Sequence, residues 1–333
     1  MSHRDSLIKK NKELSKPMDI MNVGFVGAAG GGESFTEATI TGTSNTITTI
    51  ATDYKLATFV NTGTLIVSQV GDSPNNTVSY LVVAGGAGGG KTDQGYAGGG
   101  GGGGGVIENS AHTLTATTHN ITVGNKGAAA ASFQSSGNDG GHSFFDSIKA
   151  FGGGGGAPDY SGSAYIAGNV GGCGGGSAKT ATGAASTQTS NNGGTGHGFR
   201  GADGIILSSP TIVGTGGGGG ASDMGGGGTG VASGANGAGY NGGEGYTDNI
   251  TGASVVYSSG GGGGITHATT STNYAGGVGG TNAGNGGTNN GSAAGHATNY
   301  GSGGGGAGRY NSSGVRSAGD GYKGVVYIKW KFQ

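Results

Sequence analysis

Between residues 34 and 84, apolar and polar positions alternate in short stretches rich in Thr, Ile and Val, each ended by Gly or Pro. A period of two over such lengths marks a β-strand with one face covered. It predicts strands at 38–41, 46–51, 54–60, 64–70 and 78–84, with Gly42, Gly63, Gly71 and Pro74 as breakers. Further strand signals stand at 106–107, 114–118, 121–123 and 144–151, and a last one at 325–332. Together they predict one small antiparallel β module, closed by the C-terminal strand, into which the rest of the chain is inserted.

The inserted part has no apolar period at all. Of the 88 glycines, all but ten lie between Gly85 and Asp320, in blocks such as 98–105, 152–156, 216–220 and 260–264. Such blocks have no side chains to bury, so their order must come from backbone hydrogen bonds. Glycine costs about 1 kcal/mol per residue in a helix relative to Ala, so little α-helix is expected. Collagen needs Gly at every third position and abundant Pro, whereas there are four prolines here. Calcium-binding solenoid repeats need regular Asp, and RGG segments need many arginines; the chain has neither. The ordered alternative is a bundle of polyglycine II helices, extended and threefold like polyproline II. Side by side, each N–H reaches a neighbour's carbonyl, and only Gly lets the backbones approach so closely. The expected fold is therefore mainly β and irregular: a β module at 36–84 and a polyglycine II body at 85–324 joined by surface loops, after an N-terminal segment at 1–35.

Composition sharpens this reading. Leu, Ile, Val and Phe are scarce, as in disordered chains, but the formal net charge is only −1 and there are 13 tyrosines. That near-neutral balance gives no reason to expect nucleic acid as a partner. Nothing is apolar and long enough to predict membrane insertion, and no signal peptide is expected. Eight of the charged residues fall in the first 20, where Asp5 or Ser6 could cap a short helix ended near Pro17.

Candidate chemistry is thin. Gly85, Gly90, Lys91 and Thr92 follow a strand in the letter pattern of a P-loop. The helix that must follow is replaced by DQGYA and eight glycines, so phosphate binding is not expected. The histidines (His3, His112, His119, His142, His197, His267 and His296) lack ligand spacing, and Cys173 stands alone. No acid–base pair or nucleophile motif appears, so no enzyme, cofactor or metal is expected.

The connectors say more. Segments 157–170, 246–259 and 288–300 mix Tyr with Asn, Ser, Thr and Gly, the vocabulary of adaptable binding loops. If glycine blocks alternate in direction, 91–97, 157–170, 205–213, 246–259 and 288–300 fall far from the β module. The count inverts after Gly225 if 225–245 makes two passes. The candidate binding residues are Tyr96, Tyr160, Tyr165, Ile206, Tyr246, Tyr257, His296 and Tyr300.

The stretches YKLATFVNTGTLIVSQVG, VSYLVVAGGAGGG, GGGGGVIENSAHTL and GDGYKGVVYIKW, with the blocks between them, resemble the glycine-rich domain of bacteriophage tail-fibre proteins. The alternation of glycine blocks with aromatic loops is similar to the distal adhesins of the long tail fibres of T-even-like phages. The resemblance runs from about Tyr54 to Trp330 and implies a receptor-binding protein of the virion, made in the host cytoplasm. It implies loops that contact a bacterial surface protein or glycan, and an N-terminal segment that attaches to other virion proteins, with a homotrimer as one open assembly. The other reading is a structural virion protein of the capsid or tail, without direct receptor contact.

Overall fold

A computed structural model describes residues 33–92, 97–159, 166–190, 193–207, 212–226, 239–267, 274–310 and 314–333. Phe35–Gln333 forms one compact unit. The described residues contain strands and extended chain but no α-helix.

The predicted β module is a two-sheet sandwich. One sheet takes β1 (Glu37–Ile40), β4 (Gly63–Gln69), β7 (Thr118–Thr122), β8 (Ser143–Phe145) and β9 (Ile148–Ala150), in that order. The other has the order β10-β6-β5-β18-β3-β2. Its strands are β2 (Thr46–Ile50), β3 (Tyr54–Phe59), β5 (Thr77–Val83), β6 (Val106–Thr113), β10 (Thr195–His197) and β18 (Val325–Lys331). All pairs are antiparallel. The stretch 144–151 is a hairpin rather than one strand, and Leu114 packs in the core without being in a strand. The C-terminal strand does close the module, between β5 and β3.

The second sheet is covered on both faces, which explains the unbroken apolar letters of 80–84 and 325–328. Val78, Tyr80 and Val82 with Val326, Ile328 and Trp330 face the first sheet, meeting Leu65, Ile121 and Phe145. The alternate positions Leu81, Val83, Val325 and Tyr327 face the glycine body, meeting Cys173, Ala221, Ile250 and Tyr257.

That body is a hexagonal lattice of extended runs, and the longest glycine block lies on its axis. The amides of 98–105 donate in rotation: Gly98, Gly101 and Gly104 to run 301–308, Gly99, Gly102 and Gly105 to run 151–157, Gly100 and Gly103 to run 214–221. Its carbonyls accept from Ala87 and Gly90 of run 84–92, from Cys173 and Gly176 of run 171–178, and from Gly261 and Gly264 of run 258–265. A bond pattern that returns to the same neighbour at every third residue is that of a threefold extended helix. The six neighbours also bond to one another around the ring, through Gly153→Gly85, Ala157→Gly176, Gly219→Gly174, Gly218→Gly261, Gly303→Ser259 and Gly304→Ala87.

Position in the lattice sets the sequence. A run with neighbours on all sides has no room for a Cβ: at Gly102 it would lie 2.3 Å from the Cys173 carbonyl oxygen, and at Gly99 2.2 Å from that of Gly176. An outer run needs Gly only where it faces inward, one position in three. In 124–131 the inward amides of Gly127 and Ala130 donate to Gly86 and Gly89, while Asn125, Lys126 and Ala128 are exposed. The same lattice takes up the P-loop letters. The amides of Gly85, Gly86, Gly88, Gly89, Gly90 and Lys91 all donate to backbone carbonyls, so they form no phosphate cradle.

Cys173 sits where body and sheet meet, fully buried, with Sγ 3.5 Å from the Gly104 carbonyl oxygen. Burial pushes its thiol up to about 12. The folded chain is therefore expected to resist iodoacetamide at pH 8 for hours and to be alkylated fully in guanidinium. Mass spectrometry after timed labelling checks this; fast labelling of the native chain would mean that run 171–178 opens readily.

Candidate functional site

Successive runs travel outward from the sandwich and back, so the connectors gather at two ends. Run 84–92 leaves β5 and 98–105 returns to β6. Run 301–308 is parallel to 84–92, as Gly304→Ala87 and Ala307→Gly90 show, and 316–324 returns to β18 through Gly89→Gly319 and Gly86→Tyr322.

The described residues of the distal end form small sheets and clasps. Strands β11 (Ile205–Leu207), β12 (Ile212–Gly214) and β15 (Ile265–His267) make a three-stranded sheet. Val213 and Ile265 are buried in it, while Ile206 is 40% exposed. Two-residue strands β16 (Arg309–Tyr310) and β17 (Gly314–Val315) pair as a hairpin. Asp159 and Lys179 form a buried ion pair at 3.3 Å, joining the end of run 151–157 to the turn after run 171–178. Asn289 accepts from the Tyr274 amide at 2.6 Å, tying two connectors together. Phe133 is 59% exposed, with the Lys91 ammonium 5.0 Å from its ring centre.

Against this geometry the candidate residues divide. Ile206 is distal and exposed. Tyr96, Tyr160 and Tyr165 lie outside the described residues; the described residues nearest to them, Ala97, Asp159 and Ile166, are distal. Tyr246, Tyr257 and Tyr300 are not at that end. Gly225 heads outward beside Arg200, whereas run 239–245 runs inward, parallel to 214–221. The next connector, the hairpin of β13 (Tyr246–Asp248) and β14 (Val255–Tyr257), therefore lies on the outer face of the second sheet.

There Tyr257 is buried against Tyr327, with ring centres 5.9 Å apart, and Tyr246 stacks on His197 at 4.1 Å. Burial raises the hydroxyl pKa of both, and neighbouring charged or phenolic groups add to it. Tyr300 packs on Tyr322 beside the same cluster. His296 stands on the flank of the body, where its Nδ1 accepts from the Asp320 amide at 3.0 Å, in a shallow groove with Lys126 and Tyr322. Of segment 288–300, only the turn at 288–292 is distal.

Phe133 escaped the sequence reading because the outer run 124–131 carries too few glycines to read as a pass, whereas Lys91 stood in the distal connector 91–97 without being singled out as a binding residue. The inward spacing of Gly124 and Gly127 is the signal that could have revealed it. The described residues include no group of His, Cys, Asp and Glu set to hold a metal, and no helix long and apolar enough to cross a membrane.

A family model described as a glycine-rich domain matches residues 61–331. No curated protein matches the chain.

Proposed function

Because the chain belongs to the glycine-rich domain family, we propose that it is a receptor-binding protein of a bacteriophage tail fibre. In this reading the sandwich and lattice are a rigid stalk, and the distal connectors recognise a protein or glycan of the bacterial surface. The N-terminal segment attaches the chain to the virion. The role is binding, not catalysis.

One observation carries the reading: the lattice sorts its connectors between two ends that differ in kind. At the sandwich end they are short, as at 221–225 and 281–283, or packed on the sheet, as with Tyr257. At the distal end the described connectors present Phe133, 59% exposed beside Lys91, and Ile206, 40% exposed on the sheet of β11, β12 and β15. Exposed aromatic and aliphatic groups among adaptable polar residues are what recognition loops use. The resemblance of the strand and glycine stretches to tail-fibre proteins supplies the biological setting.

The test replaces 132–134 and 288–292 with Gly-Ser turns and Ile206 with Ser and, as a control, replaces 281–283. Adhesion of the purified variants to a panel of bacterial strains is then measured. Adhesion should fall at least about tenfold for the distal replacement and stay unchanged for the control, with melting temperatures within a few degrees of each other. Adhesion indifferent to the distal replacement would favour the structural virion role instead.

A further inference from the structure

Three outer-end cations are brought together by the lattice, not by the sequence. Runs 84–92, 301–308 and 316–324 are mutually adjacent: Ala307 donates to Gly90, Gly89 to Gly319, and Gly319 to Gly305. Each run carries a basic residue where it reaches the distal end, namely Lys91, Arg309 and Arg316. The Arg316 amide donates to the Gly308 carbonyl, which sets those two ends level. The Arg316 guanidinium lies over the Gly291 backbone, where a Cβ would sit 2.8 Å from Nη2. Arg316 is exposed, and Lys91 and Arg309 are half-buried.

These cations differ from the others in the body. Lys126 pairs with Asp320, Lys179 with Asp159, and Arg200 with Asp203. Among the described residues no carboxylate lies within ion-pair distance of Lys91, Arg309 or Arg316. Among the described residues, the distal carboxylates Asp159 and Asp203 are already engaged by the pairs just named. Lys91 Nζ donates to the Ala131 carbonyl at 3.3 Å and, like the two planar guanidinium forks, meets no carboxylate among the described residues, a set of donors that suits phosphate or carboxylate oxygens.

We propose that the determinant bound at the distal end is anionic, a host surface polysaccharide carrying phosphate or carboxylate groups, held by Lys91, Arg309 and Arg316. This rests on the reading of that end as the receptor-binding face.

The full chain is tested on immobilised dextran sulfate and alginate, with neutral dextran as the blank, in about 150 mM salt, where diffuse attraction is screened beyond roughly 8 Å. Binding to both polyanions and not to dextran is expected. Arg309→Gln with Arg316→Gln should weaken it at least about tenfold. Lys329→Gln with Lys331→Gln removes the same charge at the opposite end and should change it less than about twofold. If the distal pair disturbs the β16–β17 hairpin, Lys91→Gln gives the same reading from a different run. Equal weakening by both pairs, no effect of the distal changes, or no polyanion binding at all overturns the proposal. Adhesion to cells separates it from its premise. Loss on connector replacement without loss on charge removal overturns the anionic determinant alone, whereas indifference to connector replacement overturns both.

Discussion

Gly102→Ala should destabilise the protein by about 3 kcal/mol or more, while Gly295→Ala should change stability by less than about 1 kcal/mol. At Gly102 the added methyl carbon would sit 2.3 Å from the Cys173 carbonyl oxygen, 2.8 Å from that of Gly174 and 2.9 Å from the Cys173 carbonyl carbon. All of these are backbone atoms of a neighbouring run, so no rotamer change relieves the clash. The runs must part, and parting them stretches the bond from Cys173 to Gly103 and that from Gly102 to Gly154. At Gly295, on the periphery, the nearest atoms would be 3.0, 3.4 and 3.6 Å away. There the entropy that Ala removes from the unfolded chain offsets the mild crowding. In thermal melts the first variant should lose about 6 °C or more and the second about 2 °C or less. Equal shifts would mean that the axial run is not close-packed, and the hexagonal lattice would be wrong.

That contrast also shows what the sequence could and could not reveal. The strands were legible because both sheets obey the period of two, and the doubly covered strands β5 and β18 read as continuous apolar letters. The axial run was legible because a site crowded from every side tolerates nothing but Gly, giving 98–105. Outer runs were not, because a threefold helix with one buried face needs Gly at one position in three. Residues 124–131 and 181–188 therefore pass for loops. Unnoticed passes that come in pairs cancel, so 205–213 is distal as its count requires, whereas the reversal between Gly225 and run 239–245 moves Tyr246 and Tyr257 to the sheet, and the inward run of Gly295 and Thr298 carries Tyr300 there. Composition gave no correction. The segment YTDNITGASVVYSS has the vocabulary of a binding loop, yet its Ile250, Val255 and Tyr257 cover a hydrophobic sheet face. The cation cluster was equally hidden, since Lys91 and Arg309 are neighbours only through the bond from Ala307 to Gly90.

Removing 325–333 should abolish folding altogether. Strand β18 pairs along its length with β5 on one side and β3 on the other, so its loss breaks two ladders and opens the centre of the sheet. It also takes Val325 and Tyr327 from the face toward the body, and Val326, Ile328 and Trp330 from the face toward the first sheet. At about 1.5–3 kcal/mol for each buried side chain, the loss is on the order of 10 kcal/mol. That matches the whole stability of a typical domain, about 5–15 kcal/mol. Truncated chain 1–324 should therefore show no cooperative melt and should expose Cys173 to alkylation at the rate of the unfolded protein. A peptide of residues 325–333 added in excess should restore some protection, because it carries the register partners of both β5 and β3. Trp330→Ala, which leaves both ladders intact, should cost about 3–5 kcal/mol and keep the melt cooperative. A cooperative melt in the truncated chain would mean that the lattice stands without the sandwich. Protection only when the strand is present would make the pairing of β18 the step that locks the sheet against which the lattice packs.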